Sequence, residues 1–186
     1  VVYLDLKLEN CLLSTNGYLK LTDFGTAKVV ADHTYTVVGT PDYFAPEMLK
    51  GEGYNEAVDW WACGIMLFIM LAQNSPFPVL PDMSEMRRLM LRGFAKLKFP
   101  SSFTVDLENV VKCLCEKRAE VRLPMQEAGL STLMSMPAFN SLDWARLAIM
   151  KFDAPHIPKR CGIDGRVREV LTCDCGHDLR GLEALD

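Results

Sequence analysis

The 186-residue sequence lacks the features that would assign it to several large classes of protein. Its longest apolar run without a charged side chain covers residues 60–72, whereas a membrane-spanning helix needs roughly 20 such residues. The first ten residues contain Asp5, Lys7 and Glu9, which argues against a signal peptide. Positive charge is also scarce, with 20 lysines and arginines against 24 aspartates and glutamates. We therefore expect no membrane span and no nucleic-acid partner.

Cysteine is present, but not in the arrangement of a disulfide framework. The seven cysteines are odd in number and irregularly spaced, which favours reduced thiols and a cytoplasmic location. A hydrophobic content of 49% and a charged content of 24% are typical of a globular protein and not of a disordered one. The length favours one domain, and Val1 in place of an initiator methionine leads us to expect a piece of a longer protein.

A short hairpin and a long loop are predicted in the first quarter of the chain. Apolar residues at 11–13 and 18–21 flank Asn16-Gly17, a pair that favours the positive φ angles of a tight turn. Residues 23–46 are rich in glycine, threonine, aspartate and proline, and they predict a loop long enough to be functional. Residues 57–71 are apolar on nearly every side, which predicts a helix at the centre of the core.

Further helices are predicted in the second half of the chain. A capping box formed by Asp82 and Glu85 marks the start of one helix. Apolar residues between 107 and 115 recur on one helical face, and Asp106 is the expected N-cap of that helix. Residues 143–150 have the pattern of another helix.

A set of polar residues on either side of the hairpin has the composition of a phosphoryl-transfer site. Asp5, Lys7 and Asn10 precede the hairpin, and Asp23 follows it. Phosphoryl transfer from a nucleotide needs a carboxylate to orient and deprotonate the attacking hydroxyl, a cation near the γ-phosphate and hard oxygen ligands for Mg²⁺. These residues supply each of those groups.

A family resemblance rests on motifs that occur in a fixed order. These are Asp5-Leu6-Lys7-Leu8-Glu9-Asn10, Asp23-Phe24-Gly25 and residues 39–47, which read Gly-Thr-Pro-Asp-Tyr-Phe-Ala-Pro-Glu. With residues 59–64, Asp-Trp-Trp-Ala-Cys-Gly, they resemble the catalytic loop, metal-binding triplet and activation-segment end of a eukaryotic protein kinase. The alternative, a helical domain with coincidental motifs, would need all of them to fall in register by chance.

The branch of the family is indicated by other residues. Tyr3 and the segment Ala-Pro-His-Ile-Pro-Lys at residues 154–159 resemble the AGC serine/threonine kinases, and within that group the sequence is most similar to the cyclic-nucleotide-dependent kinases, regulated by cGMP or cAMP. Leu91-Arg92-Gly93 and Phe99-Pro100 favour the cGMP-dependent type.

The resemblance implies a mainly α fold, namely the large C-terminal lobe of a kinase with a short β-hairpin and without the N-lobe. Residues 1–150 would be the C-lobe part of the catalytic domain, and residues 151–186 a diverged and partly disordered AGC-type tail. The Gly-rich loop, the ATP-contacting strand lysine and its glutamate partner are expected before Val1. We therefore expect the isolated chain to be inactive.

The resemblance also implies roles for the residues of the site. Asp5 matches the catalytic aspartate, Lys7 the lysine that contacts the γ-phosphate, and Thr40 the threonine that hydrogen-bonds both of them. Asn10 and Asp23 match the ligands of Mg²⁺ and thereby bind the cofactor ATP. The activity implied is phosphoryl transfer from MgATP to serine or threonine.

Other positions match binding and regulatory residues of the family. Leu12 matches the apolar residue beneath the adenine ring, and Thr36 the activation-loop phosphorylation site, with Lys28 as a cation for the phosphate. Leu4 stands where most of the family has an arginine that pairs with this phosphate, so we expect a weaker phosphorylation switch. Glu9 matches an acidic residue that recognises basic substrates.

Structural roles are implied for residues further along the chain. Glu47 and Arg122 match a buried ion pair that ties the activation segment to a late helix. Asp59 matches a buried aspartate that holds the backbone of the catalytic loop, and Tyr3 and Phe24 match stacked hydrophobic residues that link the two lobes.

The implied partners are ATP and protein substrates whose serine or threonine lies near basic residues. Ile69 replaces a second acidic residue of the cyclic-nucleotide-dependent kinases, so the preference for basic substrates is expected to be relaxed. A regulatory region or subunit that binds cyclic nucleotide would lie outside this chain. Two alternatives stay open: a pseudokinase or scaffold, favoured by Leu4, and a regulatory fragment that binds kinase partners.

The cysteine-rich end of the chain allows two interpretations. Cys173, Cys175 and His177, with Cys161 as a fourth ligand, could hold a structural zinc ion. The irregular spacing favours the other interpretation, a tail with reduced thiols.

Overall fold

A computed structural model describes residues 1–77, 83–158, 161–163 and 166–168. The strands are β1 (Cys11–Leu13), β2 (Leu19–Leu21), β3 (Cys161–Ile163) and β4 (Arg166–Arg168). The α-helices are α1 (Pro46–Lys50), α2 (Ala57–Ala72), α3 (Met83–Arg92), α4 (Val105–Leu114), α5 (Gly129–Met134) and α6 (Trp144–Ala148). Short 3-10 helices occur at Leu8–Asn10, Phe24–Thr26, Pro41–Tyr43, Gly93–Lys96, Ala119–Val121, Leu123–Met125 and Pro137–Phe139. The prediction of a mainly α fold with a short β-hairpin is confirmed.

The hairpin of β1 and β2 is antiparallel, with Leu12 opposite Lys20, and β3 pairs with β4 in the same way. The expected Asn-Gly turn is present, with the Gly17 N–H donating to the carbonyl of Ser14 over 2.8 Å, but its loop has three residues, 15–17. The connection is closed one step further out, where Ser14 donates its N–H to the carbonyl of Tyr18 over 2.8 Å. The Ser14 hydroxyl bonds the same carbonyl at 2.7 Å, which favours the longer loop, and Gly17 alone of the Asn-Gly pair has a positive φ.

Helix α2 forms the centre of the core, as its uniformly apolar sequence predicts. Trp61 and Ile65 are fully buried, and the ring of Phe68 packs 5.2 Å from that of Phe103 and 5.8 Å from that of Phe94. Each side chain of this size contributes roughly 1.5–3 kcal/mol when it leaves water. The mass of buried aromatic groups explains why α2 can serve as a rigid base for the site.

The helix ends depart from the sequence predictions in two places. The N-cap of α4 is Thr104, whose hydroxyl accepts the N–H of Leu107 over 3.3 Å, and not Asp106, which lies inside the first turn. An aspartate there still interacts favourably with the helix dipole. Helix α6 is shorter than expected because Asp143 is its N-cap and the chain turns into a left-handed conformation at Met150. Asp82 of the expected capping box lies outside the described residues.

The predicted loop at residues 23–46 is tied to the rest of the chain by short pairings. Lys28 and Val2 exchange two backbone hydrogen bonds of 2.9 Å, and Thr34 and Tyr54 exchange two of 2.9 and 3.0 Å. The loop also contains the 3-10 helices at Phe24–Thr26 and Pro41–Tyr43. It is therefore an ordered segment that returns to the core at both ends.

The segment after α6 packs against the hairpin. The Tyr18 hydroxyl donates to the carbonyl of Phe152 at 2.7 Å and accepts the N–H of Phe152 at 3.0 Å. Beyond this segment, Cys173, Cys175 and His177 of the considered zinc site lie outside the described residues. Among the helices that the structure describes, none has the length and hydrophobicity required to cross a membrane.

Candidate active site

The site begins with a carboxylate on the first turn of α2. Asp59 accepts the N–H of Tyr3 at 2.7 Å and the N–H of Leu4 at 3.0 Å, one on each carboxylate oxygen. Burial raises the pKa of Asp59, and these two N–H groups counteract the rise by stabilising the charged form. Leu4 has a φ of 72°, a conformation that is rare for a leucine. Asp59 therefore fixes the backbone immediately before Asp5.

Three side chains meet in a triangle of hydrogen bonds at Asp5. The Lys7 ammonium lies 2.8 Å from Asp5 Oδ2, and the Thr40 hydroxyl donates to Asp5 Oδ1 over 2.8 Å. Lys7 also donates to the Thr40 hydroxyl over 2.9 Å. The structure thus brings the acid and the cation together with a hydroxyl that lies more than thirty positions further along the sequence.

The charges in this triangle support each other. Burial acts to raise the pKa of Asp5, but hydrogen bonds from Lys7 and Thr40 outweigh it and lower that pKa below its ordinary value. The pKa of Lys7 is raised, chiefly by its hydrogen bond to Asp5. At neutral pH the pair is therefore a carboxylate and an ammonium, the ionisation states that proton acceptance and phosphate contact require.

Asn10 immediately precedes β1, and Asp23 follows the end of β2 by two residues. The Asn10 amide nitrogen donates to the Asp5 carbonyl at 2.9 Å and to Asp5 Oδ2 at 3.1 Å, so the amide oxygen remains as its ligand atom. Thr22, the residue before Asp23, donates its N–H to the Asn10 carbonyl over 3.0 Å. Asp23 has a φ of 54° and accepts the N–H of Gly25 on one oxygen.

This donor set fits Mg²⁺ better than the softer metals. An amide oxygen and a carboxylate are hard ligands, and Mg²⁺ is usually held by one or two such groups together with substrate phosphates. Within the described part of the chain there is no cluster of three or more histidine, cysteine, aspartate or glutamate side chains that could hold a metal by themselves. Asn10 and Asp23 are therefore suited to a metal that arrives with a phosphate ligand.

The apolar residues beside this donor set are open to solvent. Leu12 is 53% exposed, and Phe24 is 61% exposed although its ring packs edge-to-face on Tyr3 with centroids 5.3 Å apart. Tyr3 itself is buried, and its hydroxyl bonds the carbonyl of Thr22. Leu12 and Phe24 are thus exposed apolar side chains that follow Asn10 and Asp23 closely in the sequence.

Thr36 is exposed on the loop formed by residues 23–46. Lys28 donates to the Thr36 hydroxyl over 2.9 Å and also to the hydroxyl of Thr34. Leu4 is buried in the hydrophobic core and contributes no charge to this region. The sequence interpretation missed Thr34 and Tyr54, which pair through their backbones. Thr34 could have been noticed because it is a threonine two positions from Thr36, whereas no local pattern indicated Tyr54.

Arg122 and Glu47 form a buried pair at some distance from Asp5. The two guanidinium nitrogens of Arg122 donate to the two Glu47 oxygens over 2.9 and 3.2 Å. Arg122 also donates to the carbonyls of Glu116 at 2.9 Å and Ala57 at 2.6 Å, and it lies over the ring of Trp61. The pair therefore joins α1 to the start of α2.

Glu9 is exposed at the edge of the site. Its charge contributes to the raised pKa of Lys7 and, after burial, to the rise of the Tyr43 pKa to about 12. Ile69 is half-buried and packs on the core. A surface cavity of about 390 Å³, lined in part by His33 and Lys117, includes none of the residues of the Asp5 triangle.

Comparison with known proteins identifies the family. Residues 1–133 match the protein kinase domain. The sequence is 39% identical over 158 residues to cAMP-dependent protein kinase type 3 of Saccharomyces cerevisiae, covering 85% of this chain and 39% of the relative. It is 40% identical over 159 residues to the cAMP-dependent protein kinase catalytic subunit of Dictyostelium discoideum, covering 86% and 24%.

A human relative gives the same result. The sequence is 36% identical over 172 residues to the cAMP-dependent protein kinase catalytic subunit PRKX of Homo sapiens, covering 92% of this chain and 47% of the relative. The chain thus spans less than half the length of these curated relatives. The match covers both the Asp5 triangle and the buried Arg122 pair. The chain belongs to the protein kinase family and is of the AGC type.

Proposed function

We propose that this chain is the large lobe of an ATP-dependent serine/threonine protein kinase. The observation that carries the proposal is the triangle of Asp5, Lys7 and Thr40, with all three contacts between 2.8 and 2.9 Å. General-base catalysis requires a carboxylate held in one orientation and ionised at the working pH. The lowered pKa of Asp5 supplies the second condition and Asp59 supports the first.

Each residue of the triangle has a distinct role in the proposed reaction. Asp5 accepts the proton of the substrate hydroxyl as it attacks. Lys7 neutralises charge on the transferred phosphoryl group, a role suited to a compact ammonium. Thr40 holds both side chains in register and leaves room for a serine or threonine of the substrate.

Asn10 and Asp23 would hold Mg²⁺, and Leu12 would contact the adenine ring of ATP. When bound, MgATP would supply the phosphoryl group that is transferred, and its Mg²⁺ would supply positive charge beside the phosphates. The hard-oxygen chemistry of Asn10 and Asp23 supports this assignment, as does the exposure of Leu12. We further propose that the Gly-rich loop and the ATP-binding lysine belong to a longer form of the protein.

The finer parts of the function follow from the same proposal. Thr36 is a phosphorylation site that uses Lys28, and Glu9 favours substrates with nearby basic residues. Residues 1–150 form the C-lobe part of the catalytic domain and residues 151–186 its tail. The protein acts in the cytoplasm, and a region or subunit outside this chain binds a cyclic nucleotide, because the similar proteins are cAMP-dependent protein kinases.

The test is phosphoryl transfer by a longer form that supplies the missing nucleotide-binding elements. We expect it to phosphorylate a basic serine peptide with MgATP, and Asp5→Asn to lower kcat by about 10²–10⁴-fold. Asp153→Asn is the matched control, because Asp153 is fully exposed and its nearest cation is 3.8 Å away. The 186 residues alone should transfer no phosphoryl group. Turnover by Asp5→Asn at the wild-type rate would reject the proposal.

A second candidate function is a pseudokinase or scaffold, and the buried Leu4 beside Asp5 favours it. In that case the longer form would bind partners but transfer no phosphoryl group, and Asp5→Asn would leave binding unchanged. A regulatory fragment would instead capture a separate small-lobe protein in a pull-down. Phosphoryl transfer in the kinase assay would distinguish an active kinase from both the pseudokinase and the regulatory fragment.

A further inference from the structure

Tyr54, a buried residue outside the activation segment (residues 23–46), contacts that segment near Thr36. Tyr54 exchanges two backbone hydrogen bonds with Thr34, of 2.9 and 3.0 Å, and its hydroxyl donates to the carbonyl of Thr36. The Tyr54 side chain is 3% exposed and belongs to the hydrophobic core. A core residue thus contacts the segment at two positions two residues apart.

The neighbouring glycine allows the segment to approach closely. A Cβ at Gly53 would lie 3.0 Å from the ring of Tyr35 and 3.1 Å from the Cβ of His33. Any side chain at position 53 would therefore push these two residues away. The backbone of residues 53–54 therefore packs directly against residues 33–36.

The contacts that Tyr54 makes with the segment involve backbone atoms and a neutral hydroxyl. Leu4 lies in the core and offers the segment no hydrogen-bonding side chain. The hydroxyl of Thr36 is exposed, and Lys28 is the described cation that contacts it. A phosphate on Thr36 would meet this one ammonium at the surface, where an ion pair is worth little.

We propose that Tyr54 is a positioning residue that anchors the activation segment through the Thr36 carbonyl, so that the segment is held whether or not Thr36 is phosphorylated. Thr40 lies four residues after Thr36, and Gly39 between them is pressed against the carbonyl of Leu4, where a Cβ would lie 2.3 Å away. Fixing the Thr36 carbonyl therefore limits where the Thr40 hydroxyl can lie. The consequence for catalysis rests on the proposed function, but the anchor does not.

The anchor is tested with Tyr54→Phe, which keeps the ring and the backbone pairing and removes the hydroxyl. We expect exchange of the Thr34 amide, whose N–H bonds the Tyr54 carbonyl, to accelerate about 5-fold, the effect of losing one hydrogen bond, with exchange in α4 unchanged. Tyr35→Phe is the matched control, since Tyr35 is an exposed tyrosine in the same segment, and it should leave exchange within 2-fold of the wild type.

A second variant separates the anchor from the phosphorylation switch. Thr36→Ala keeps the carbonyl and removes the phosphate acceptor, and we expect exchange of the Thr34 amide in this variant to stay within 2-fold of the wild type. Unchanged exchange in Tyr54→Phe, or a rise in Thr36→Ala as large as in Tyr54→Phe, would overturn the proposal.

In an active longer form, Tyr54→Phe should lower kcat with an unchanged KM for ATP, and phosphatase treatment should not mimic it. A change in the KM for ATP with an unchanged kcat would reject the catalytic consequence. The same loss of kcat after phosphatase treatment of the wild type would also reject it. If the longer form proves inactive, the exchange measurements still decide whether the anchor exists.

Discussion

Arg122 shows how a single charged residue can be buried without being left unpaired. It has no solvent exposure, yet its guanidinium donates to both oxygens of Glu47 and to two backbone carbonyls. The ring of Trp61 covers it at 5.3 Å from the guanidinium carbon. Burying a charge is tolerated when hydrogen bonds replace those lost from water. Without Arg122, the Glu47 carboxylate and the two backbone carbonyls would lose these hydrogen bonds.

Replacing Arg122 with alanine should destabilise the protein by about 3–5 kcal/mol, because the Glu47 carboxylate would be left buried and unpaired. Thermal unfolding followed by circular dichroism measures the effect as a lower melting temperature and a lower folded yield. Arg88→Ala is the control, since Arg88 pairs with Glu85 at 3.1 Å on an exposed surface and is worth at most about 1 kcal/mol. Equal melting temperatures for Arg122→Ala and the wild type would contradict this account.

The sequence was informative about single residues when a motif fixed their neighbours. Asp5, Lys7 and Thr40 could be singled out because their motifs occur in order, and the structure brings their side chains into contact. Tyr54 could not be found, because its contact with Thr36 joins residues in two segments that have no shared pattern. Thr104 and Asp106 are both good N-cap types, so only the backbone geometry could choose between them.

At the scale of elements, the hairpin and the segment after α6 form one unit. The hydroxyl of Tyr18 makes two hydrogen bonds to the backbone of Phe152. Gly17 lies against the same segment: a Cβ there would be 2.4 Å from the Ala154 Cβ and 2.4 Å from the His156 carbonyl oxygen. The turn of the hairpin is thus shaped to fit the chain that passes over it.

Gly17→Ala should therefore cost more than the strain of its positive φ alone. Gly51 is the matched control, since its φ of 74° is close to the 80° of Gly17 but nothing lies within 4 Å of its Cβ position. We expect Gly51→Ala to lose about 1–2 kcal/mol in urea unfolding, and Gly17→Ala to lose more. Trypsin should also cleave after Lys151 faster in Gly17→Ala. Equal losses in the two variants would show that the packing contributes nothing.

The sequence predicted which elements exist better than where they end. Residues 57–71 were apolar all round, and the helix observed there differs by a single residue. The turn of the hairpin lies at the predicted Asn-Gly pair, but its length was missed because the Ser14 side chain supplies a hydrogen bond that the Asn-Gly pattern does not include. Helix α6 ends early for a similar reason, a backbone conformation at Met150 that no residue type dictates.

The whole molecule combines a dense core with an unusually apolar hairpin surface. Leu19 and Leu21 of β2 are 66% and 44% exposed, and Leu12 of β1 is exposed as well. The net charge is −4, so repulsion between copies is modest. Leu19 and Leu21 lie on one face of the hairpin, whereas Leu12, opposite Lys20, lies on the other. Exposed apolar groups of this kind bind hydrophobic probes and favour association.

Replacing both Leu19 and Leu21 with threonine should reduce binding of the dye anilinonaphthalene sulfonate, with fluorescence falling by about half. Threonine has the β-branched shape that strands prefer, so the hairpin should persist. Val105→Thr is the control, because Val105 is 72% exposed at the start of α4, away from the hairpin in the chain. A decrease of the same size in Val105→Thr would show that the dye does not recognise the hairpin surface.

The first turn of α2 connects features that were described separately. Asp59 on this turn holds the backbone before Asp5, the carbonyl of Ala57 receives Arg122, and Trp61 covers the same guanidinium. Asp5 and the buried ion pair of Arg122 and Glu47 therefore share one helical turn as a common support. A substitution that opened this turn would disturb both together, although the activation segment keeps separate contacts with Val2 and Tyr54.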